Sequence, residues 1–218
     1  LVAEPPKVWF ARDTNGDGRA DEKVLALSDY ATQNDPTLGP KSNPEHASNS
    51  LMWALDNWVY SANHTKRYRW KGSPTNWLAE DTIFRGQWGL SQDDVGRLYH
   101  NSNSDPLRAD LIPSAYLARN PNVRSPVGAN YQLEKNMRTW PARMNPGVNR
   151  GYQPGQLTPE GKLATFTGAC GPVVYRGDQF GPEYVGDAFL CEPTGNFVRR
   201  SRILNKGGLL TATNAYTQ

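Results

Sequence analysis

Cysteine is nearly absent: 218 residues carry two, Cys170 and Cys191, with no CxxC or CxxCH among them. Neither a thiolate zinc cage nor an attached c-type haem can be built from this chain alone. No stretch approaches the ~20 apolar residues needed to cross a bilayer. The start, LVAEPPKVWF, has neither an initiating Met nor a charged-then-apolar signal pattern, so the sequence reads as a processed chain or an excised piece. Charge of one sign is lacking too. Lys plus Arg number 24 against 21 Asp plus Glu, a net charge of +3, and the basic residues are dispersed except for short groups at 66–71 and 199–202. That balance gives no footprint for nucleic acid.

Glycine and proline are abundant, 20 and 17, which excludes an architecture of long helices. Aromatic residues reach 11% with seven Trp, too many for a disordered chain. Two cysteines in such a Gly- and Asn-rich chain read as one disulfide, which favours a periplasmic or extracellular compartment; two buried reduced thiols are the alternative.

Two segments share a pattern of strand, Asp-bearing turn and strand. Residues 51–63 read LMWALDNWVYSAN and residues 87–103 read QWGLSQDDVGRLYHNSN. The turns differ, Asp56-Asn57 in one and Asp93-Asp94-Val95-Gly96 in the other, but both suit a hairpin. Tyr60 and Tyr99 stand 39 residues apart, close to the ~40 to 45 of a four-stranded propeller blade. A third hairpin is expected over 172–199, where VVYRG and DAFLCEP flank DQFGPEYVG. At the N-terminus, VWFAR runs through DTNGDGRADEK into VLAL. The reading is all-β: a partial β-propeller of three to four blades, spanning 1–218 as a segment of one domain. A jelly roll is the competing architecture. Residues 101–156, with seven Pro, form a long irregular insertion expected to lie across one face.

The sharpest local motif runs from Asp13 to Asp21, DTNGDGRAD. Oxygen donors at Asp13, Asn15, Asp17 and Asp21, with the Arg19 carbonyl, can converge on a hard cation because Gly18 permits the tight turn. Val24 stands where an EF-hand needs an acid, so the expected site is a β-hairpin calcium loop. An Asx-rich turn without an ion is the simpler alternative.

A second constellation precedes the hairpins. Glu45-His46 comes before the first and Arg85-Gly86-Gln87 before the second. In a propeller, equivalent entry segments gather around the axis, where His46 could accept a proton, Glu45 orient it and Arg85 hold an anionic group. A histidine bonded to nearby backbone and an arginine tying a blade entry to a carbonyl are the plainer readings. His64 and His100 read as surface residues, and Asn63-His64-Thr65 matches a glycosylation acceptor. The Trp residues read mainly as packing, with Trp58, Trp70 and Trp77 as sugar-stacking candidates.

The runs LVAEPPKVWFARDTNGDGRADE, EHASNSLMWALDNWVY, RGQWGLSQDDVGRLYHNSNSDPLRADLIPSAYLARNP and GKLATFTGACGPVVYRGDQFGPEYVGDAFLCEPTGNFVRR together resemble the propeller of the so-called membrane-bound dehydrogenases of planctomycetes, verrucomicrobia and relatives. Those proteins are often linked to a separate haem-binding domain. That family in turn resembles the soluble quinoprotein glucose and sorbosone dehydrogenases, six-bladed propellers using pyrroloquinoline quinone with calcium. The resemblance implies a catalytic base at His46 beside Glu45, and quinone contacts from Arg85 and Gln87, since an Arg-Asn-Pro-Gln-Gly-Leu segment there is similar to residues 85–90 here. Gly86 stands where that segment has Asn.

Two functions follow as expectations. One is an extracytoplasmic dehydrogenase domain oxidising a sugar or alcohol and passing electrons to haem on another domain or chain. The other is a non-catalytic propeller scaffold within a larger extracytoplasmic or membrane-associated complex. Either way the remaining blades come from the same polypeptide or from another chain, and a cytochrome c domain or a membrane complex is the implied partner.

Overall fold

A computed structural model describes residues 1–43, 45–123, 127–145, 147–148, 150 and 151–216. Pro126 and Pro146 of the expected insertion lie outside the described residues. Two compact units divide the chain, residues 1–85 and 86–218.

The first unit opens with a three-stranded antiparallel sheet of β1 (Val2–Glu4), β2 (Lys7–Arg12) and β3 (Glu22–Leu27). A four-stranded meander follows: β4 (Asn49–Trp53), β5 (Val59–Ala62), β6 (Lys66–Ser73) and β7 (Asn76–Asp81), neighbours in chain order. Val8, Tyr30, Val59 and Tyr68 form the core between these sheets, with Leu27, Leu51 and Trp77 packed against it. Val59 and Tyr68 are cross-strand partners in the β5–β6 register, so one buried pair fixes both the strand pairing and the face that meets the core.

The second unit holds two further meanders. One comprises β8 (Ser91–Gln92), β9 (Leu98–Ser102), β10 (Asp105–Ala109) and β11 (Tyr131–Gln132). The other comprises β12 (Cys170–Val174), β13 (Ala188–Glu192), β14 (Phe197–Lys206) and β15 (Leu209–Asn214). Tyr99, Leu107, Leu133, Val174, Leu190 and Leu210 join the two sheets in one core. Ala212 N donates to the Leu133 carbonyl at 3.0 Å, tying β15 to the segment after β11. The described chain is therefore all-β, with the sequential antiparallel sheets of a partial propeller. No described helix is long and apolar enough to cross a membrane.

The repeat seen in the sequence has a physical counterpart. In the first unit, Tyr60 donates its hydroxyl to Asp56 Oδ2 at 2.8 Å, and Asn57 takes φ 63° to close the turn. In the second, Tyr99 donates to Asp93 Oδ2 at 3.1 Å, and Gly96 supplies the positive φ, 81°. Asn and Gly are the residues that enter this region at least cost. Each blade thus locks its first hairpin with a carboxylate from the turn and a phenol from the second strand. Burial, with Asp56 adding to it, pushes the Tyr60 phenol up to about 12, and burial likewise raises Tyr99.

Within 101–156 the chain first completes a blade. Pro106 sits inside β10, where the register with β9 shifts between Asp105 and Arg108. A bulge is where a sheet tolerates a missing N–H. The irregular connection accordingly begins after Ala109. It contains the short helix α1 (Ser114–Ala118) and, after β11, runs through turns to β12.

Candidate functional site

The Asp13–Asp21 loop joins β2 to β3 and is organised by its own side chains. Asp13 accepts from the backbone N–H groups of Asn15, Gly16 and Gly18 at 3.1, 2.6 and 2.8 Å. Asn15 Oδ1 accepts from Asp17 N at 2.9 Å, and Asp17 Oδ1 from Arg19 N at 2.8 Å. Asp21 caps the other end by accepting from Thr14 N and Oγ1 at 2.8 and 2.7 Å. Hydrogen bonds from Gly18 and Gly16 lower Asp13 below its ordinary carboxylate value, and those from Thr14 do the same for Asp21. The loop is thus anionic and preshaped, but among the described residues no group of three or more His, Cys, Asp or Glu side chains gathers as metal ligands. The hard oxygens suit calcium in type; their present arrangement is the Asx-turn alternative.

His46 and Arg85 are both tied to Asn63 through their main chains. Asn63 Nδ2 donates to the His46 carbonyl, and Asn63 N donates to the Arg85 carbonyl at 3.0 Å. The side chains behave differently. Glu45 is exposed and His46 half-buried. Arg85 is 2% exposed; its Nη1 donates to Thr82 Oγ1 at 3.0 Å and to the Ile83 carbonyl at 3.1 Å, and its guanidinium lies 5.1 Å from the Tyr60 ring centroid. A guanidinium folded onto its own approach segment and sealed from solvent is poorly placed to take a quinone carboxylate.

In the second unit, Gln87 is engaged in a similar way, its Oε1 accepting from Asn103 N at 3.0 Å. Gly86 has φ 57°, and a Cβ built there would lie 2.3 Å from the Asn101 carbonyl oxygen. The Asn found here in the quinoprotein segment would not fit without displacing that backbone. Arg85 and the Gln87 Oε1 are thus engaged within the fold at the positions where the resemblance implies quinone contacts.

Two histidines expected at the surface are interior. His100 is fully buried, and His64 is 8% exposed. His64 Nδ1 lies 3.3 Å from Ser48 Oγ and Nε2 lies 3.0 Å from the Tyr68 hydroxyl, with the Tyr30 ring at 4.8 Å. Burial, helped by Lys66, pushes the His64 imidazole down to about 4. It is a neutral packing histidine at neutral pH. Its apolar neighbours Tyr60, Tyr68 and Trp70 were the available signal, because they place His64 inside a strand-turn-strand run. Asn63 is held by His46, so the glycosylation reading loses its free amide. Trp58 is also inside, 4% exposed, with the Arg67 and Arg69 guanidinium groups 4.1 and 4.4 Å from its ring centroid. Buried in this way, it is not open to a sugar in solution. Asn101, unremarked in the sequence, is fully buried with neither amide atom hydrogen-bonded among the described residues.

A family model described as "Domain of unknown function (DUF7133)" matches residues 1–218. The chain belongs to the DUF7133 family. That description names no activity, and the dehydrogenase resemblance rests on the motifs quoted above. No curated protein and no solved structure matches the chain.

The cysteines of this DUF7133 chain are free thiols in the structure, in place of the expected bond. They nevertheless occupy directly opposed positions: Cys170 on β12 pairs with Cys191 on β13 in the antiparallel register. Cys191 is exposed and Cys170 partly buried. Burial raises the Cys170 thiol, with Cys191 and Glu192 adding to the effect. Behind them, fully buried Glu192 accepts from Thr167 N, Gly168 N and Thr194 N at 3.0, 2.8 and 3.0 Å, fixing the entry to β12.

Proposed function

We propose that this DUF7133 chain is a non-catalytic propeller module, a scaffold or binding subunit of a larger extracytoplasmic assembly. The observation that carries the reading is the Arg85 guanidinium, 2% exposed and bonded to Thr82 and Ile83 of its own segment. Residues that would contact a quinone are used to build the fold. The partners are the remaining blades, from the same polypeptide or another chain, together with a cytochrome c domain or membrane complex. A periplasmic or extracellular setting suits the opposed cysteines, and calcium in the Asp13–Asp21 loop belongs to the same reading as a structural ion.

A dehydrogenase acting on a sugar or alcohol is the second reading, favoured by Asn63, which brings the main chains of His46 and Arg85 to one residue. One experiment separates the two. The intact protein is incubated with pyrroloquinoline quinone and calcium, and quinone binding and substrate-dependent dye reduction are followed for the parent and for His46→Ala. The scaffold reading expects no stoichiometric quinone binding and no effect of the substitution. Tight binding with a loss of about 10²- to 10⁴-fold in dye reduction on removing His46, the range for a general base, establishes the dehydrogenase instead.

A further inference from the structure

The connection from β11 to β12 is not a slack loop. Its two arms are stitched together: Arg138 bridges Thr165 and Leu157 bridges Leu163 in antiparallel fashion. Thr139 N donates to the Ala164 carbonyl at 2.9 Å, Phe166 N to the Met137 carbonyl at 3.1 Å and Thr158 N to the Lys162 carbonyl at 2.8 Å. The Thr139 hydroxyl adds a bond to the Leu163 carbonyl at 2.7 Å, and the Gln156 amide adds one to the Thr165 carbonyl at 2.9 Å. Leu163 and Phe166 anchor the platform from below, with Phe166 against Phe197 at 5.7 Å. A long connection held this rigidly is a recurrent way for a scaffold to carry a binding surface.

On its outer side the platform walls a depression of about 670 Å³, within the volume range of small-ligand sites. Trp140 is exposed at its edge, and the Arg138 guanidinium lies 5.6 Å from the indole centroid. Lys162 lines the opposite arm beside Glu160. Glu160 is lowered first by the Thr158 hydroxyl and then by its own backbone N–H, so its carboxylate is committed to the turn. What faces a ligand is therefore the exposed Trp140 indole and two cations, since the Thr158 hydroxyl is held between the Glu160 carboxylate and Lys162 N. Indole faces stack on the C–H faces of sugars, and a guanidinium pairs bidentately with a carboxylate or sulfate.

We propose that this groove binds an acidic oligosaccharide, with Trp140 as the stacking plate and Arg138 and Lys162 receiving the anionic groups. The groove lies wholly within residues 86–218 and stands whether or not a quinone binds elsewhere.

Calorimetric titration of the intact protein with three tetrasaccharides tests this: an oligogalacturonate, a sulfated carrageenan fragment and neutral cellotetraose. At least one acidic probe binds and cellotetraose binds at least tenfold more weakly; which acidic probe it is distinguishes carboxylate from sulfate. Arg138→Gln weakens the acidic probe by about 10- to 100-fold, as expected for losing a charged hydrogen bond. Trp140→Ala weakens it as well, and added salt does the same. Arg138 is exposed, so its variant remains informative if Trp140→Ala fails to fold. Binding of neither acidic probe, equal binding of cellotetraose, or unchanged affinity in Arg138→Gln overturns the proposal.

Discussion

Putting a side chain at Gly86 should cost more than its backbone angle alone explains. The φ there is 57°, and a Cβ would meet the Asn101 carbonyl oxygen at 2.3 Å, the Asn101 nitrogen at 3.1 Å and the His100 Cβ at 3.2 Å. The Asn101 carbonyl is already fixed, because Gln87 N donates to it at 2.8 Å. Gly207 in the same unit provides a matched control: its φ is 61°, and nothing lies within 4 Å of its built Cβ. Gly207→Ala therefore reports the left-handed conformation alone, roughly 1–2 kcal/mol. Gly86→Ala adds overpacking against fixed backbone, about 1–3 kcal/mol more. Gly86→Asn restores the residue of the quinoprotein segment. Asn tolerates this φ better than Ala, so its conformational cost shrinks while the contact remains. Urea unfolding of the intact protein, read at the transition of residues 86–218, should rank Gly86→Ala as most destabilised, Gly86→Asn next and Gly207→Ala least. At roughly 2–4 °C per kcal/mol, the first variant melts about 4–20 °C lower than the parent. A Gly86→Asn protein as stable as the parent refutes the packing argument, and with it the physical reason for the missing Asn.

Three further outcomes are expected. Cys170 and Cys191 are free thiols in the structure, and mild oxidation of the folded protein links them on non-reducing peptide mapping, because directly opposed antiparallel positions hold Cα atoms about 4.5–5.5 Å apart, inside the disulfide window; thiols that stay uncrosslinked and alkylatable under the oxidant argue against that opposition. His64 titrates near 6.5 when unfolded but is pushed down to about 4 when folded, so the unfolded chain binds the extra proton and stability falls as pH drops from about 6.5 to about 4, by up to about 3 kcal/mol; a flat stability profile over that window, or an unchanged slope in His64→Gln, contradicts it. Calcium at 1 mM raises the unfolding midpoint of the intact protein, Asp13→Ala and Asp21→Ala abolish the increase, and no shift in the parent protein assigns the loop to Asx turns alone.

The hairpins were legible because turn chemistry is local. Asp56-Asn57 and Asp93 to Gly96 contain within a few residues everything that closes their turns, and the Tyr60 and Tyr99 partners fall at one spacing. The cysteine register was legible for the same reason, since the two flanks of one hairpin must come back together. Side-chain direction was not legible. Whether Arg85 reaches outward or folds onto Thr82 depends on the room beside Tyr60, and whether His64 is wet depends on Tyr30, which comes from a different part of the chain. Gly86 shows where the two kinds of information meet. Its identity looked like the loss of a functional Asn, yet the cause is the Asn101 carbonyl 15 residues away on the neighbouring strand, a contact that no local pattern encodes. In a propeller the residues nearest a ligand are also those that splice one strand to the next. A motif can therefore keep its Arg and Gln for the splice after the ligand contacts are gone, and resemblance at such positions attests to the fold before it attests to the chemistry.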